Sequence, residues 1–173
     1  ISSCRSTKMN DYKEAIELIK RFEGIADGDP STVNLDPYLC PAGYWTIGWG
    51  HVVLDAQGNN FKGKENKKAA YRIYPNGITM SAAEIILDDD TRRFAVYVAD
   101  KVKVPLTDNQ FSALVSFCFN VGTGNFNRSS LLRLLNAKNY AAVPVELKKW
   151  NKVGGKVLPG LVKRRSAEAE LWD

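Results

Sequence analysis

The 173-residue chain has one histidine, two methionines and three cysteines, and each shortage closes off a class of chemistry. A lone His51, with no cysteine pair at zinc-ligand spacing, leaves no zinc site of the usual His- or Cys-rich kind. Cys4, Cys40 and Cys118 are an odd number. They allow at most one disulfide and a free thiol, which is no disulfide framework. No apolar run approaches the roughly 20 residues of a spanning helix, so no stable membrane insertion is expected of this chain. A phosphate-binding glycine loop, a dinucleotide fingerprint and a nucleophile-elbow serine are also missing. The opening ISSCRSTKMN is polar and starts without Met, which suits either a removed leader or an arbitrary start.

What is present is a globular composition, 45% hydrophobic and 25% charged, long enough for one domain with a real core. The net charge of +5 comes from scattered rather than blocked lysines and arginines. That charge alone is compatible with nucleic acid, anionic lipid or an acidic wall polymer.

Tyr12, Ile16, Ile19 and Phe22 recur at helical spacing, predicting an amphipathic helix over residues 11–23 that ends at Glu23 and is terminated by Gly24. IADGDPSTVNLDP reads as loop. The aromatic, β-branched YWTIGWGHVV reads as a hairpin or short sheet, with DAQGN as a turn. After a Lys-rich polar stretch, a helix over about 80–101 starts at a cap on Thr79 or Ser81, the latter forming a capping box with Glu84. A second box, Thr107 with Gln110, opens a helix apolar on nearly all faces, which Gly122 and Gly124 stop. Further helices are expected at 129–136, 140–150 and 162–172, the last two separated by a loop, NKVGGKVLPG. The chain thus reads as an α+β fold: a helix, a β-containing lobe over about 24–78, a connecting helix and a helical lobe over about 105–173. A cleft between such lobes is the natural ligand site.

The chemistry concentrates in CPAGYWTIGWGH, residues 40–51, which packs three aromatics, three glycines, a threonine and the single histidine into one segment. Taken alone, Glu23 is a helix-end carboxylate that the helix dipole disfavours, His51 a hydrogen-bonded imidazole or a general base, and Cys40 an apolar filler. From spacing alone, an enzyme and a polymer-binding module are equally open.

Together these pieces resemble the phage lysozyme, or endolysin, family of glycoside hydrolases. Glu23-Gly24, Tyr38 and CPAGYWTIGWGH are followed in the family's order by NGITMSAAEIIL, DNQFSALVSFCFNVG, SSLLRLLN and KWNKVGGKVLPGLVKRRSAEAELW. The likeness runs from about Tyr12 to Trp172 and implies a single lysozyme-like domain over 1–173. It implies hydrolysis of the β-1,4 bond between N-acetylmuramic acid and N-acetylglucosamine in peptidoglycan, with no cofactor or metal. It places the general acid on Glu23. A general acid must hold its proton until the leaving oxygen departs, which a partly buried, weakly solvated carboxyl does. Thr46 matches the family's threonine that positions water or sugar, and His51 matches the histidine that ends the motif.

One position departs from the family's best-known members, which carry aspartate where this chain has Cys40. Glycoside hydrolases normally use two carboxylates. Other branches carry the same CPAG, and a thiolate can accept a proton, orient water or stabilise positive charge. Cys40 is therefore the expected second catalytic group. The loop before it is longer than usual and brings Asp27, Asp29 and Asp36 near the motif. Asp36 is the carboxylate best placed in sequence to reach substrate, against the plainer reading of a solvated turn aspartate. His51 and Trp49 are weaker substrate-binding candidates, and at most one of Trp45 and Trp49 stacks on sugar. The aromatics of the helical lobe, Trp150 and Trp172 among them, are read as core, and Arg164 and Arg165 as structural ion pairs first.

The resemblance further implies host-wall lysis by a monomer acting in the host periplasm, with peptidoglycan and not nucleic acid as its partner. The alternatives are a catalytically impaired lysozyme-like module that binds peptidoglycan or serves structure, and a tail-delivered or secreted muramidase. The odd cysteine count also permits a regulatory Cys4–Cys40 pairing.

Overall fold

The computed structural model describes residues 9–173. Cys4 lies outside them, and with it the Cys4–Cys40 pairing. The described chain forms two compact units: Ile19–Asp90, and a second that joins Thr91–Asp173 to residues 9–18.

Helix α1 (Lys13–Glu23) starts where the Asp11 carboxylate accepts a bond from the Lys13 N–H at 2.9 Å. Of its apolar stripe, Ala15 and Ile19 are fully buried. It ends at Gly24, whose N–H donates to the Lys20 carbonyl at 3.3 Å.

In the Ile19–Asp90 unit, strands β1 (Tyr38–Leu39), β2 (Trp45–Ile47) and β3 (His51–Val52) form an antiparallel sheet in that order. Tyr38 pairs with Thr46, Leu39 with Trp45, and Ile47 with His51. Directly paired residues share a face, so Tyr38 and Thr46 lie opposite the face of Trp45 and Ile47. Trp45 and Ile47 join Val53 and Ala70 in a small core flanked by Leu39, Phe61 and Tyr71. Ala70 belongs to α2 (Lys67–Ile73), a helix inside the Lys-rich stretch that reads as polar in sequence. Its buried stripe is one alanine, with Tyr71 edge-on to Trp45 at 6.2 Å between ring centroids, too thin for a helical period to register.

Helix α3 (Met80–Lys101) takes its cap from Thr79, whose hydroxyl accepts from the Ala82 N–H at 3.1 Å. Ser81 is already inside the first turn. The helical unit continues with α4 (Asp108–Val121), α5 (Thr123–Arg128), α6 (Ser130–Asn136), α7 (Ala142–Lys148) and α8 (Pro159–Trp172). The Thr107–Gln110 capping box is formed, with both bonds at 3.1 Å. Behind it every residue from Phe111 to Cys118 is buried. Trp150 stands edge-on to Phe117 at 5.6 Å and Trp172 packs by Tyr140 at 6.3 Å, so both serve the core.

Two expectations are corrected here. Gly122 ends α4, whereas Gly124 sits within α5. The segment read as a loop between the last two helices holds a hairpin, β4 (Lys152–Val153) with β5 (Lys156–Val157). Helix α8 then starts three residues early, at Pro159, because proline is well suited to the first helical turn, where its missing N–H costs no bond. Among the described residues no helix is long and apolar enough to cross a membrane. The whole is an α+β fold, mostly helical, with small antiparallel sheets.

Candidate active site

The candidate catalytic and substrate-binding residues, Glu23, Asp36, Cys40, Thr46, Trp49 and His51, all fall in the Ile19–Asp90 unit. Glu23 closes α1 and is exposed, as are Gly24, Ile25 and Ala26, which corrects the expectation of a weakly solvated carboxyl. The carboxylate nevertheless has a defined neighbour. Its Oε2 lies 3.7 Å from where a Cβ on Gly50 would stand. Gly50 has φ +74, a left-handed conformation that side chains rarely adopt. The glycine turn between β2 and β3 therefore runs directly beside Glu23.

Tyr38 ties this carboxylate to the rest of the motif. Its hydroxyl donates to the Gly48 carbonyl at 3.3 Å. Burial pushes the phenol up from its ordinary value, a bond from the Gly50 N–H draws it back, and the negative charge of Glu23 and then Cys40 pushes it up again. Tyr38 is thus close enough to feel both groups. It escaped functional notice in the sequence because a tyrosine ahead of a strand looks like ordinary sheet packing.

Cys40 begins a tight turn in which the Gly43 N–H donates to its carbonyl at 2.8 Å, and its own N–H donates to Tyr44 at 2.9 Å. It is half-buried and free. Cys118 is fully buried in the helical core, where desolvation pushes its thiol up to about 12. Cys118 is thereby closed to thiolate chemistry. Thr46 is 3% exposed, and its hydroxyl donates to the Tyr44 carbonyl at 3.1 Å.

His51 Nδ1 lies 2.8 Å from Asp90 Oδ2, with the histidine side chain 25% and the aspartate 9% exposed. Asp90 was missed in the sequence, although a signal existed. Ala83, Leu87 and Asp90 fall at spacings of four and three on one buried stripe of α3, and a carboxylate on such a stripe needs a partner. A single histidine was available to supply it. Asp90→Ala should lower stability by about 1.5–3 kcal/mol, the range for a hydrogen bond to a charged group. A thermal melt would read this, and a melting temperature equal to the parent's would show that the pair contributes nothing.

Trp49, at the tip of the turn, is 8% exposed. The Lys20 ammonium stands 5.1 Å over its ring and pairs with Glu84 at 3.3 Å, so one ring face is taken. Asp36 is buried rather than a solvated turn aspartate. Its carboxylate accepts from the Thr32 hydroxyl, while its N–H donates to Asp27 Oδ1 at 3.0 Å. Those bonds organise the loop 27–36. Among the described residues no group of three or more His, Cys, Asp or Glu side chains could hold a metal ion.

Residues 20–168 match the sequence profile of the family described as Phage lysozyme. The chain belongs to that family. This lysozyme is 36% identical over 169 residues to an endolysin of Acyrthosiphon pisum secondary endosymbiont phage 1, covering 95% of this chain and 99% of the relative. It is 39% identical over 165 residues to an endolysin of Bacillus phage B103, covering 95% of this chain but only 54% of that longer protein. In three dimensions it is similar to the muramidase domain of SpmX from Asticaccaulis excentricus, with a TM-score of 0.71 and 30% identity over 95% of this chain and 98% of the other. It is a phage lysozyme, a glycoside hydrolase acting on the peptidoglycan of the bacterial cell wall.

Proposed function

We propose that Glu23 is the general acid of this lysozyme and Cys40 its second catalytic group. On this reading they cleave the β-1,4 bond between N-acetylmuramic acid and N-acetylglucosamine. The observation that carries the proposal is the approach of the Gly50 turn to the Glu23 carboxylate, with the Tyr38 hydroxyl responding to Glu23 and Cys40 alike. One carboxyl and one thiol thus belong to a single local environment, which is what a two-group hydrolysis requires. Glu23 gives its proton to the leaving oxygen. Cys40 as thiolate, or a water it orients with Thr46, meets the positive charge that develops on the sugar ring.

Tyr38 and His51 act as positioning residues, Tyr38 from the sheet and His51 through Asp90. Trp49 offers substrate at most the ring face that Lys20 leaves open. Asp36 supports the loop behind the motif. The enzyme works as a monomer in the host periplasm, with the polymer and not nucleic acid as its partner.

Release of reducing ends from purified Gram-negative peptidoglycan tests the role of Cys40. Cys40→Ala should cut the rate by roughly tenfold or more, and Cys40→Asp, which supplies the family's usual carboxylate, should retain most of it. Equal rates in Cys40→Ala and the parent would take the thiol out of the mechanism and leave water on Thr46.

A further inference from the structure

Among the described residues thirteen large apolar side chains are exposed, and five of them, Val145, Val153, Val157, Leu158 and Val162, fall within residues 145–162. The same region carries exposed Lys148, Lys149, Lys152, Lys156 and Lys163 against a single acid, Glu146, which pairs with Lys149 at 2.7 Å. At its centre is the β4–β5 hairpin, exposed at every strand residue. An isolated two-stranded hairpin is marginal in water, and one that displays valine on both strands leaves apolar surface uncovered.

The hairpin is nevertheless well built. Gly154 and Gly155 have φ +57 and +79, the left-handed pair that closes a two-residue turn matched to strand twist. At its base the Leu158 N–H donates to the Asn151 carbonyl at 2.9 Å. Lys152 pairs with Val157, and Val153 with Lys156. Each face of the hairpin thus carries one cation beside one branched aliphatic. Leu158 and Val162 continue the apolar surface at helical i, i+4 spacing into the first turn of α8.

We infer that this hairpin and the first turn of α8 dock on an anionic phospholipid surface. Aliphatic side chains ringed by lysines suit a bilayer interface, where the chains enter the headgroup boundary and the ammoniums rise to lipid phosphates. A glycan would call for exposed aromatic platforms or a set of amide and carboxylate side chains. The one aromatic of this segment, Trp150, is turned into the core against Phe117. The side-chain composition therefore favours lipid over wall polymer. The attachment is peripheral, in keeping with the lack of a spanning helix among the described residues.

Co-sedimentation of the whole chain with vesicles tests this, using phosphatidylglycerol mixed with phosphatidylethanolamine beside pure phosphatidylcholine. The parent should bind the anionic vesicles, bind less as salt rises, and leave phosphatidylcholine largely unbound. Lys152→Gln with Lys156→Gln should weaken binding by roughly tenfold or more. Val153→Ser with Val157→Ser should remove the part that survives high salt. Both double variants should release reducing ends from purified peptidoglycan at the parent's rate, which also shows that they fold. The inference is overturned if the parent ignores anionic vesicles, binds phosphatidylcholine equally, or loses nothing in either variant. It is overturned too if peptidoglycan hydrolysis falls in step with vesicle binding, since the hairpin would then serve the polymer.

Discussion

Glu23→Gln is expected to remove nearly all peptidoglycan hydrolysis while the chain still folds and melts cooperatively. The substitution keeps shape and deletes one property, the ability to give up a proton at the leaving oxygen. General acid catalysis is worth typically about 10²–10⁴-fold, and no other acid in the described motif is placed to take it over. Asp36 is buried and bonded to Thr32, and Asp90 is paired with His51. The side chain stands exposed at a helix C-terminus, where the dipole opposes a carboxylate, and the amide keeps its size and its ability to hydrogen-bond. Reducing-end release and a thermal melt on the same preparation separate the two effects. Turnover within a few-fold of the parent in the variant would remove Glu23 from the chemistry, while a collapse of both readings would mean that it holds the fold instead.

The α+β class was legible because its signals are local. The stripe of α1, the capping box of α4 and the aromatic β-branched run of β2 each lie within one element. So does the placing of Glu23 at a helix end. Features that depend on a second element were not legible. The Asp90–His51 pair spans 39 positions, and nothing in either neighbourhood names the other; only the misfit of a carboxylate on an apolar stripe points to it. The burial of Asp36 follows from how its loop folds back through Asp27 and Thr32, which turn-forming residues alone do not encode. Helix α2 and the β4–β5 hairpin were hidden by lysines, which mask a short apolar pattern without preventing the backbone from closing its own bonds.

The helical unit carries the second large effect, a loss of stability in Glu168→Ala. Glu168 and Arg165 are fully buried and Arg164 is 3% exposed, in the middle of an otherwise apolar core. Glu168 Oε1 accepts from the Ser116 hydroxyl at 2.8 Å and from Arg165 at 3.1 Å, with the Arg164 Nε at 3.3 Å. Arg165 Nε lies 2.9 Å from the other carboxylate oxygen. Burial pushes the Glu168 carboxyl up, and Arg165 and then Arg164 pull it back, so the group rests on a balance between desolvation and its two partners. Removing the carboxylate takes from two buried guanidiniums the one charge that both of them contact. The cost of breaking a buried pair in this way is about 3–5 kcal/mol. At roughly 2–4 °C per kcal/mol for a chain of this size, the melting temperature should fall by roughly 6–20 °C. A Glu168→Ala protein melting within a degree or two of the parent would show that water or the remaining neighbours, Ser116 and Asn120, satisfy the arginines by themselves.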